Sequence, residues 1–241
     1  MRVLLAPLIV LGFATTGCAY PVAGADPTKS NAPQRATPTS NSVTPQPATA
    51  TAKLISAGLR KVRVIAARPD VPGYKRDQFG QTWTDDHDGV GGHNGCDTRN
   101  DVLASQLTAV QFRDHSRCVV IAGTLRADLY TGRRIEFHKA AATKVQIDHV
   151  YPLARAWDMG AARWSMQQRV DFANDQAANL LAVDGPANAS KNDDGPGEWM
   201  PLNRRYRCTY VLQYLQVARK YALPITAADR DAAQAITRTC P

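Results

Sequence analysis

Residues 26–52 contain almost no large apolar side chains that could form a folded core. Of these 27 residues five are proline, five alanine, six threonine and three serine, and Val43 is the only large aliphatic side chain. Such a segment cannot bury enough apolar surface to offset the entropy lost on ordering. We therefore expect residues 18–52 to form an extended tether and residues 53–241 to form a single folded domain.

The first 17 residues are typical of an export signal. Arg2 supplies a positive start, Val3 to Phe13 is an almost unbroken apolar run, and small residues follow it. The small-small-Cys pattern that ends at Cys18 resembles the lipobox of bacterial lipoproteins, which implies acylation of this cysteine. A rival cleavage site, Ala23-Gly24-Ala25, would release the protein instead. We expect an exported protein, either a lipoprotein of the cell envelope or a secreted protein.

Four cysteines remain after Cys18, an even number that fits disulfides in an exported chain. Of the three possible pairings we favour Cys96–Cys118 with Cys208–Cys240, because each bridge joins neighbouring segments. A zinc site is the alternative, but the chain contains no CxxC pair and the spacings between these cysteines do not suit one. Structural disulfides are therefore the preferred prediction.

The overall charge points to a polyanionic partner. The chain has 29 lysines and arginines against 21 acidic residues, for a net charge of +8. This balance favours nucleic acid, an anionic membrane face or an acidic polymer, and no protein partner is evident. Beyond the leader, no apolar run reaches the roughly 18–20 residues of a spanning helix, which excludes a polytopic membrane protein.

The residue patterns predict an α+β domain. Apolar runs and alternation predict strands at 62–66, 118–125, 134–137, 145–149 and 180–183. Helical spacing predicts helices over 53–60, 100–110, 157–178 and 202–221. Thr226 is placed to cap a last helix that runs through Ile236.

The most informative residues lie between 146 and 201. Asp148 and His149 end one predicted strand, and Asn179 opens another, thirty residues after His149. Asn188 and Lys191 follow in the next predicted segment. This order and spacing resemble the HNH, or ββα-metal, endonuclease superfamily. The resemblance implies a ββα-metal core, embedded in the disulfide-stapled domain.

Two further motifs resemble those of secreted bacterial HNH proteins. One is CDTRND at residues 96–101, and the other is GPGEWMP at residues 195–201. With them, the likeness covers about residues 70 to 221. It implies an endonuclease that hydrolyses phosphodiester bonds, in DNA more than in RNA, with little sequence preference.

The resemblance also implies a role for each site residue. His149 is the general base, because a histidine with an ordinary pKa of about 6.5 is largely neutral at physiological pH. Asn179 orients His149, and Lys191 binds the phosphate. Asp148 and Asn188 bind a divalent cation, for which a carboxylate, an amide oxygen and water suit Mg²⁺ better than Zn²⁺, with Mn²⁺ also possible.

Two arginines are candidate contacts to nucleic acid, beside Lys191. Arg99 lies in the CDTRND motif, where it either clamps a phosphate or pairs with Asp97 or Asp101. Arg155 lies on the segment just after His149.

The geometry of a strand sets one condition for this site. Adjacent strand residues point to opposite faces, so Asp148 and His149 can serve one site only at the end of the strand.

Two alternative functions stay open. A catalytically degenerate ββα module could bind extracellular DNA or an anionic envelope polymer without cutting it. A different metallohydrolase could use the same Asp-His pair on a phosphorylated polymer.

Overall fold

A computed structural model describes residues 49–240. The helices are α1 Ala50–Leu59, α2 Thr98–Gln106, α3 Leu153–Met159, α4 Met166–Ala173, α5 Gly185–Lys191, α6 Arg207–Lys220 and α7 Ala227–Ile236. The strands are β1 Val64–Ile65, β2 Thr108–Phe112, β3 Val120–Leu125, β4 Ile135–His138, β5 Val145–His149, β6 Leu180–Asp184 and β7 Ile225–Thr226. The predicted mixture of helices and strands is thus confirmed.

The strands form three small sheets. Strands β2, β3 and β4 make an antiparallel sheet, β5 pairs antiparallel with β6, and β1 pairs parallel with β7. Helix α5 follows β6 directly, because Asp184 ends the strand and its carboxylate caps the helix by accepting a hydrogen bond from the Ala187 amide. Pro186 lies in the first turn of this helix, where its missing amide hydrogen leaves no helical hydrogen bond unmade.

The β5–β6 pair lies between two hydrophobic clusters. The first cluster packs helices α1, α3, α6 and α7 around tyrosines and other apolar side chains, and it includes Leu181 and Val183 of β6. The second packs α2 and the three-stranded sheet against Ile147, Leu180 and Ala182. Every residue of β6 is buried. Burial on both sides fixes the register of this pair, because a shift by one residue would exchange the two faces.

Two of the predicted helices differ from the structure for local reasons. The helix expected over 157–178 is broken after Met159 by Gly160, whose φ of 140° is open to glycine and unfavourable for other residues. A new helix starts at Met166, where Ser165 and Gln168 form a capping box. The helix expected through residue 110 ends at Gln106, and the apolar residues that follow belong to β2.

The two disulfides are Cys96–Cys118 and Cys208–Cys240, the pairs favoured from the sequence. Their Cα atoms are 5.2 and 5.7 Å apart, within the ordinary range. The first joins the start of α2 to the loop between β2 and β3. The second joins the start of α6 to the segment after α7.

The predicted leader, the acylation site Cys18 and nearly all of the tether lie outside the described residues. Helix α1 begins at Ala50, capped by Thr49, three residues before the expected domain start. Among residues 49–240, no helix is long and apolar enough to cross a membrane.

Loss of the Cys208–Cys240 bridge should destabilise the domain measurably. The bridge closes a loop of 32 residues, so Cys208→Ser with Cys240→Ser is expected to lower the free energy of unfolding by about 2–5 kcal/mol. Urea unfolding of the oxidised double variant and the wild type measures this. Equal midpoints for the two proteins would contradict a stabilising role.

Candidate active site

The predicted site residues meet where β5 ends. Asp148 and His149 are the last two residues of β5, opposite Leu181 and Leu180 of β6. A cleft of about 470 Å³ opens at this end. Asp148, His149 and Asn188 of α5 all line it, together with Tyr74 and Arg76 from the long loop before α2.

Asp148 and His149 point away from each other and still reach the same cleft. The Asp148 carboxylate faces Lys191 and the Tyr130 hydroxyl. The His149 imidazole stacks on Trp83, with ring centroids 5.5 Å apart and planes 8° from parallel. Both line the cleft because β5 stops at His149, which meets the condition that the sequence analysis set.

The surroundings of His149 fix its tautomer and keep it neutral. Its Nε2 lies 2.8 Å from the carbonyl oxygen of Ala173, which can only accept, so Nε2 carries the hydrogen and Nδ1 carries the lone pair. Burial, and after it the nearby charge of Arg76, lower the pKa of His149 against the opposing effect of the Ala173 carbonyl, with a net value of about 3. His149 is thus neutral at physiological pH.

Trp83 supports the imidazole from an unusual backbone conformation. Its φ is 57°, in the left-handed region that bulky residues rarely adopt. The Trp83 carbonyl accepts a hydrogen bond from the Thr98 amide, which ties this conformation to the start of α2. Strained residues of this kind cluster at functional sites, and this one contacts the predicted general base.

Asp148 is bonded at both oxygens. Lys191 Nζ donates to its Oδ1 at 2.9 Å, and the Tyr130 hydroxyl donates to its Oδ2. Burial raises the pKa of Asp148, and both Lys191 and Tyr130 oppose this rise. Burial also holds the pKa of Tyr130 well above its ordinary value, so Tyr130 stays a donor.

The structure gives Lys191 a different role from the predicted phosphate contact. Its side chain is fully buried, and its Nζ also donates to the His149 carbonyl at 2.8 Å. Both contacts join α5 to the end of β5. In this arrangement Lys191 positions Asp148 and the adjacent backbone, and it does not reach the open cleft.

The two asparagines also act on neighbouring protein groups. Asn179 is fully buried; its Oδ1 accepts from the Tyr151 amide at 2.8 Å, and its Nδ2 donates to the Tyr151 carbonyl at 3.4 Å. It therefore fixes the backbone after His149 and does not contact the imidazole, contrary to the prediction. Asn188 Nδ2 donates to Gln146 Oε1 at 2.8 Å, and no described residue donates a hydrogen bond to Asn188 Oδ1.

The cleft fits a sparsely ligated hard cation. No cluster of three or more histidine, cysteine or acidic side chains suited to a metal occurs within residues 49–240. Asp148 and Asn188 nevertheless present oxygen atoms to one cleft, and a carboxylate has about four lone-pair sites, of which Lys191 and Tyr130 use two. Mg²⁺ commonly keeps several waters and binds one or two protein oxygens, so this donor set is suitable.

Residues 97–233 match the C-terminal domain of the GmrSD restriction endonucleases, over more than half of the chain. The chain belongs to this family. An uncharacterized secreted protein of Arthroderma benhamiae is also similar, with 36% identity over 197 residues, which cover 80% of this chain and 87% of that protein. No solved structure matches.

Membership of the GmrSD C-terminal family supports a nuclease whose substrate is nucleic acid. Nucleases of this kind generally use divalent metal ions. The relative's description as secreted, together with the two disulfides, fits export. Because this relative is fungal, the bacterial source implied by the resemblance stays a prediction.

Arg155 is not available to nucleic acid, and the predicted contact is wrong for this reason. Its side chain is 0% exposed and pairs with Glu198 at 2.8 Å and Asp229 at 2.7 Å, while its Nε donates to Tyr214 Oη at 2.9 Å. These pairs connect α3 to the GPGEWMP segment and to the start of α7. A Cβ added at Gly195 would lie 2.7 Å from the guanidinium, which explains a glycine there.

The GPGEWMP segment also supports Asp148, through Tyr130. Trp199 Nε1 donates to Ser190 Oγ of α5 at 3.1 Å, and its ring packs edge-on against Tyr130, 4.9 Å between centroids. Tyr130 in turn donates to Asp148. The sequence analysis missed Tyr130, Trp83 and Arg76, since nothing in their local sequence distinguishes them from other aromatic and basic residues.

Arg99 stays a candidate contact to nucleic acid. Its guanidinium lies over the Phe137 ring at 5.8 Å and donates to the Val145 carbonyl at 3.2 Å. Within the described residues it forms no ion pair with Asp97 or Asp101, and Asp97 instead caps α2.

The lowered pKa of His149 predicts a pH-dependent stability. Between pH 6.5 and about 3 the unfolded chain binds a proton at this histidine and the folded protein does not, so stability falls as the pH falls. Below pH 6.5 the free energy of unfolding should fall by up to about 1.4 kcal/mol for each pH unit. His149→Gln, which is neutral throughout, should lack this loss. Urea unfolding of both proteins in EDTA between pH 7.5 and 4 measures it, and parallel curves would contradict it.

Arg155 and Arg99 should respond differently to the same substitution. Arg155→Gln leaves Asp229 buried without its cation, so we expect a loss of about 3–5 kcal/mol in unfolding free energy. Arg99→Gln, at a half-buried position without an ion pair, is expected to cost far less. Thermal unfolding of both variants tests the difference, and an undisturbed Arg155→Gln protein with weakened DNA binding would restore the sequence-based role.

Proposed function

We propose that this protein is an exported HNH-type endonuclease that hydrolyses DNA phosphodiester bonds with a divalent metal ion. One observation carries the proposal: Asp148, His149 and Asn188 line a single cleft at the end of an antiparallel strand pair that leads directly into α5. This order of elements, with α3 and α4 inserted between the strands, supports the proposal of a ββα-metal core.

His149 supplies the base. Its Nδ1 lone pair accepts a proton from the attacking water, while the Ala173 carbonyl keeps Nε2–H in place and Trp83 keeps the ring plane. A pKa near 3 makes a weak acceptor, and the negative charge of a phosphodiester in the cleft raises it towards the working range.

Charge stabilisation comes from two groups. A divalent cation bound by Asp148 and Asn188, most simply Mg²⁺ with Mn²⁺ or Zn²⁺ as alternatives, supplies positive charge against the phosphate oxygens. Arg76 is the only lysine or arginine among the described residues that line the cleft, and it forms no ion pair within residues 49–240. Its guanidinium can bind a phosphate at two oxygens, the role first predicted for Lys191.

A second function has one observation in its favour. Lys191 Nζ already neutralises the Asp148 carboxylate, at 2.9 Å, and so competes with a metal ion for it. If this pair persists when nucleic acid binds, the protein is a binding module that holds extracellular DNA, or an anionic envelope polymer, without cutting it.

The proposal extends to location. We propose export by the leader and attachment of the chain to the membrane outer face through Cys18, with release after Ala25 as the alternative. The tether of residues 18–52 would then separate the nuclease domain of residues 53–241 from the lipid.

Plasmid nicking tests the proposed chemistry. The mature protein should nick supercoiled DNA with Mg²⁺ or Mn²⁺ and not with EDTA, and His149→Ala should lower the rate by roughly 10²–10⁴, the usual share of a general base. His138→Ala, an exposed histidine of β4, is the matched control and should cut at the wild-type rate.

Two results would refute this proposal. Wild-type cleavage by His149→Ala would remove His149 from the mechanism. A folded wild-type protein that retards plasmid on a gel but never cuts it with any of the metals would favour the binding module.

A further inference from the structure

One basic stretch of the described domain lies in the three-stranded sheet and its loops. Residues 108–144, which contain β2, β3 and β4, carry seven lysines and arginines against three acidic residues. All seven are exposed: Arg113, Arg117, Arg126, Arg133, Arg134, Lys139 and Lys144. We refer to these seven as the basic segment.

Most of the basic segment is not neutralised by the protein. In the part of the chain that the structure describes, only Arg133 and Arg134 form ion pairs, with Asp184 and Glu136. Arg126 Nε and Arg134 Nη2 contact Thr108 and Thr124 hydroxyls. Since Thr108 and Thr124 are opposite each other in the sheet, both arginines lie on the same outer face.

The basic segment reaches a groove beside His149 at one residue. Trp83, which stacks on His149, lines a groove of about 900 Å³. Other walls of this groove include Arg99, Phe137 and Lys139, of which Lys139 belongs to the basic segment. The groove therefore extends from the ring that stacks on the proposed base to the residue that follows β4.

The groove also contains three aspartates, two of which accept hydrogen bonds from the protein. Asp85 accepts hydrogen bonds from the Asn94 and Gly95 amides, and Asp97 accepts from the Asn100 amide and side chain. Asp86 is exposed and lies 3.9 Å from His93. The first two charges are thus engaged by backbone donors of the protein.

We propose that the basic segment is the surface that binds the phosphate backbone of a polynucleotide extending from the catalytic cleft. This inference rests on the proposed function for its cleft end. His149 lies five residue steps along β5 from Lys144, about 16 Å at the rise of a strand. That distance corresponds to about five steps of duplex at 3.4 Å each, so the full surface requires a polymer.

Charge reversal tests the inference. The variant Arg113→Glu/Arg126→Glu/Lys139→Glu removes three free cations of the basic segment. The matched control, Lys53→Glu/Lys61→Glu/Arg219→Glu, changes the charge equally at exposed positions on α1, after it and on α6. Three readouts are compared in the mature protein: duplex affinity against salt, plasmid cleavage, and hydrolysis of bis(p-nitrophenyl) phosphate, which is small enough to need only the cleft.

We expect the basic-segment variant to bind duplex at least about tenfold more weakly, with a slope of log affinity against log salt smaller by about 2–3. The rate of plasmid cleavage should fall in parallel with the affinity for duplex. The rate of bis(p-nitrophenyl) phosphate hydrolysis should stay at the wild-type value. The control should match the wild type in all three readouts.

Equal binding and cleavage by the basic-segment variant and the control would overturn the inference. If the triple variant does not fold, Arg113→Glu and Lys139→Glu alone, both outside the strands, give the same comparison. Failure of the proposed function is a separate result: the wild type would then cut neither substrate, while duplex binding would still show whether these cations are needed.

Discussion

The geometry of the site depends on one buried ion pair, between Lys191 of α5 and Asp148 of β5. Both charges are almost fully withdrawn from water, at 0% and 6% side-chain exposure, so each requires the other. The same ammonium group binds the His149 carbonyl. One cation therefore joins the helix to the last two residues of the strand, and the cleft that Asp148, His149 and Asn188 line follows from this junction.

Aromatic and ionic contacts from distant parts of the chain support that pair. Tyr130, between β3 and β4, donates to Asp148 and is packed by Trp199, which itself bonds to α5. Arg155 fixes the segment that contains Trp199 through Glu198 and Asp229. The GPGEWMP motif thus supports Asp148 from a distant part of the sequence.

Much of the fold could be predicted because its signals are local. Apolar runs predicted β3, β5 and β6, and Thr226 predicted the cap of α7. The Asp-His, Asn and Asn-Lys pattern identified three segments, β5, β6 and α5, that adjoin one another in the structure. Charge alone does not reveal burial, so Arg155 and Lys191 were expected at the surface and are internal. Tyr130, Trp83 and Arg76 reach the site from distant segments, and no local pattern predicts such contacts.

The most direct test of this account is a crystal structure of the protein with Mn²⁺ and a phosphorothioate DNA duplex, in which anomalous scattering locates the metal. The account predicts a Mn²⁺ peak within coordination distance of Asp148 and Asn188, and the scissile phosphate near His149 Nδ1 and Arg76. A structure with bound DNA, no metal between Asp148 and Asn188 and the Lys191–Asp148 pair unchanged would contradict a catalytic role for the cleft.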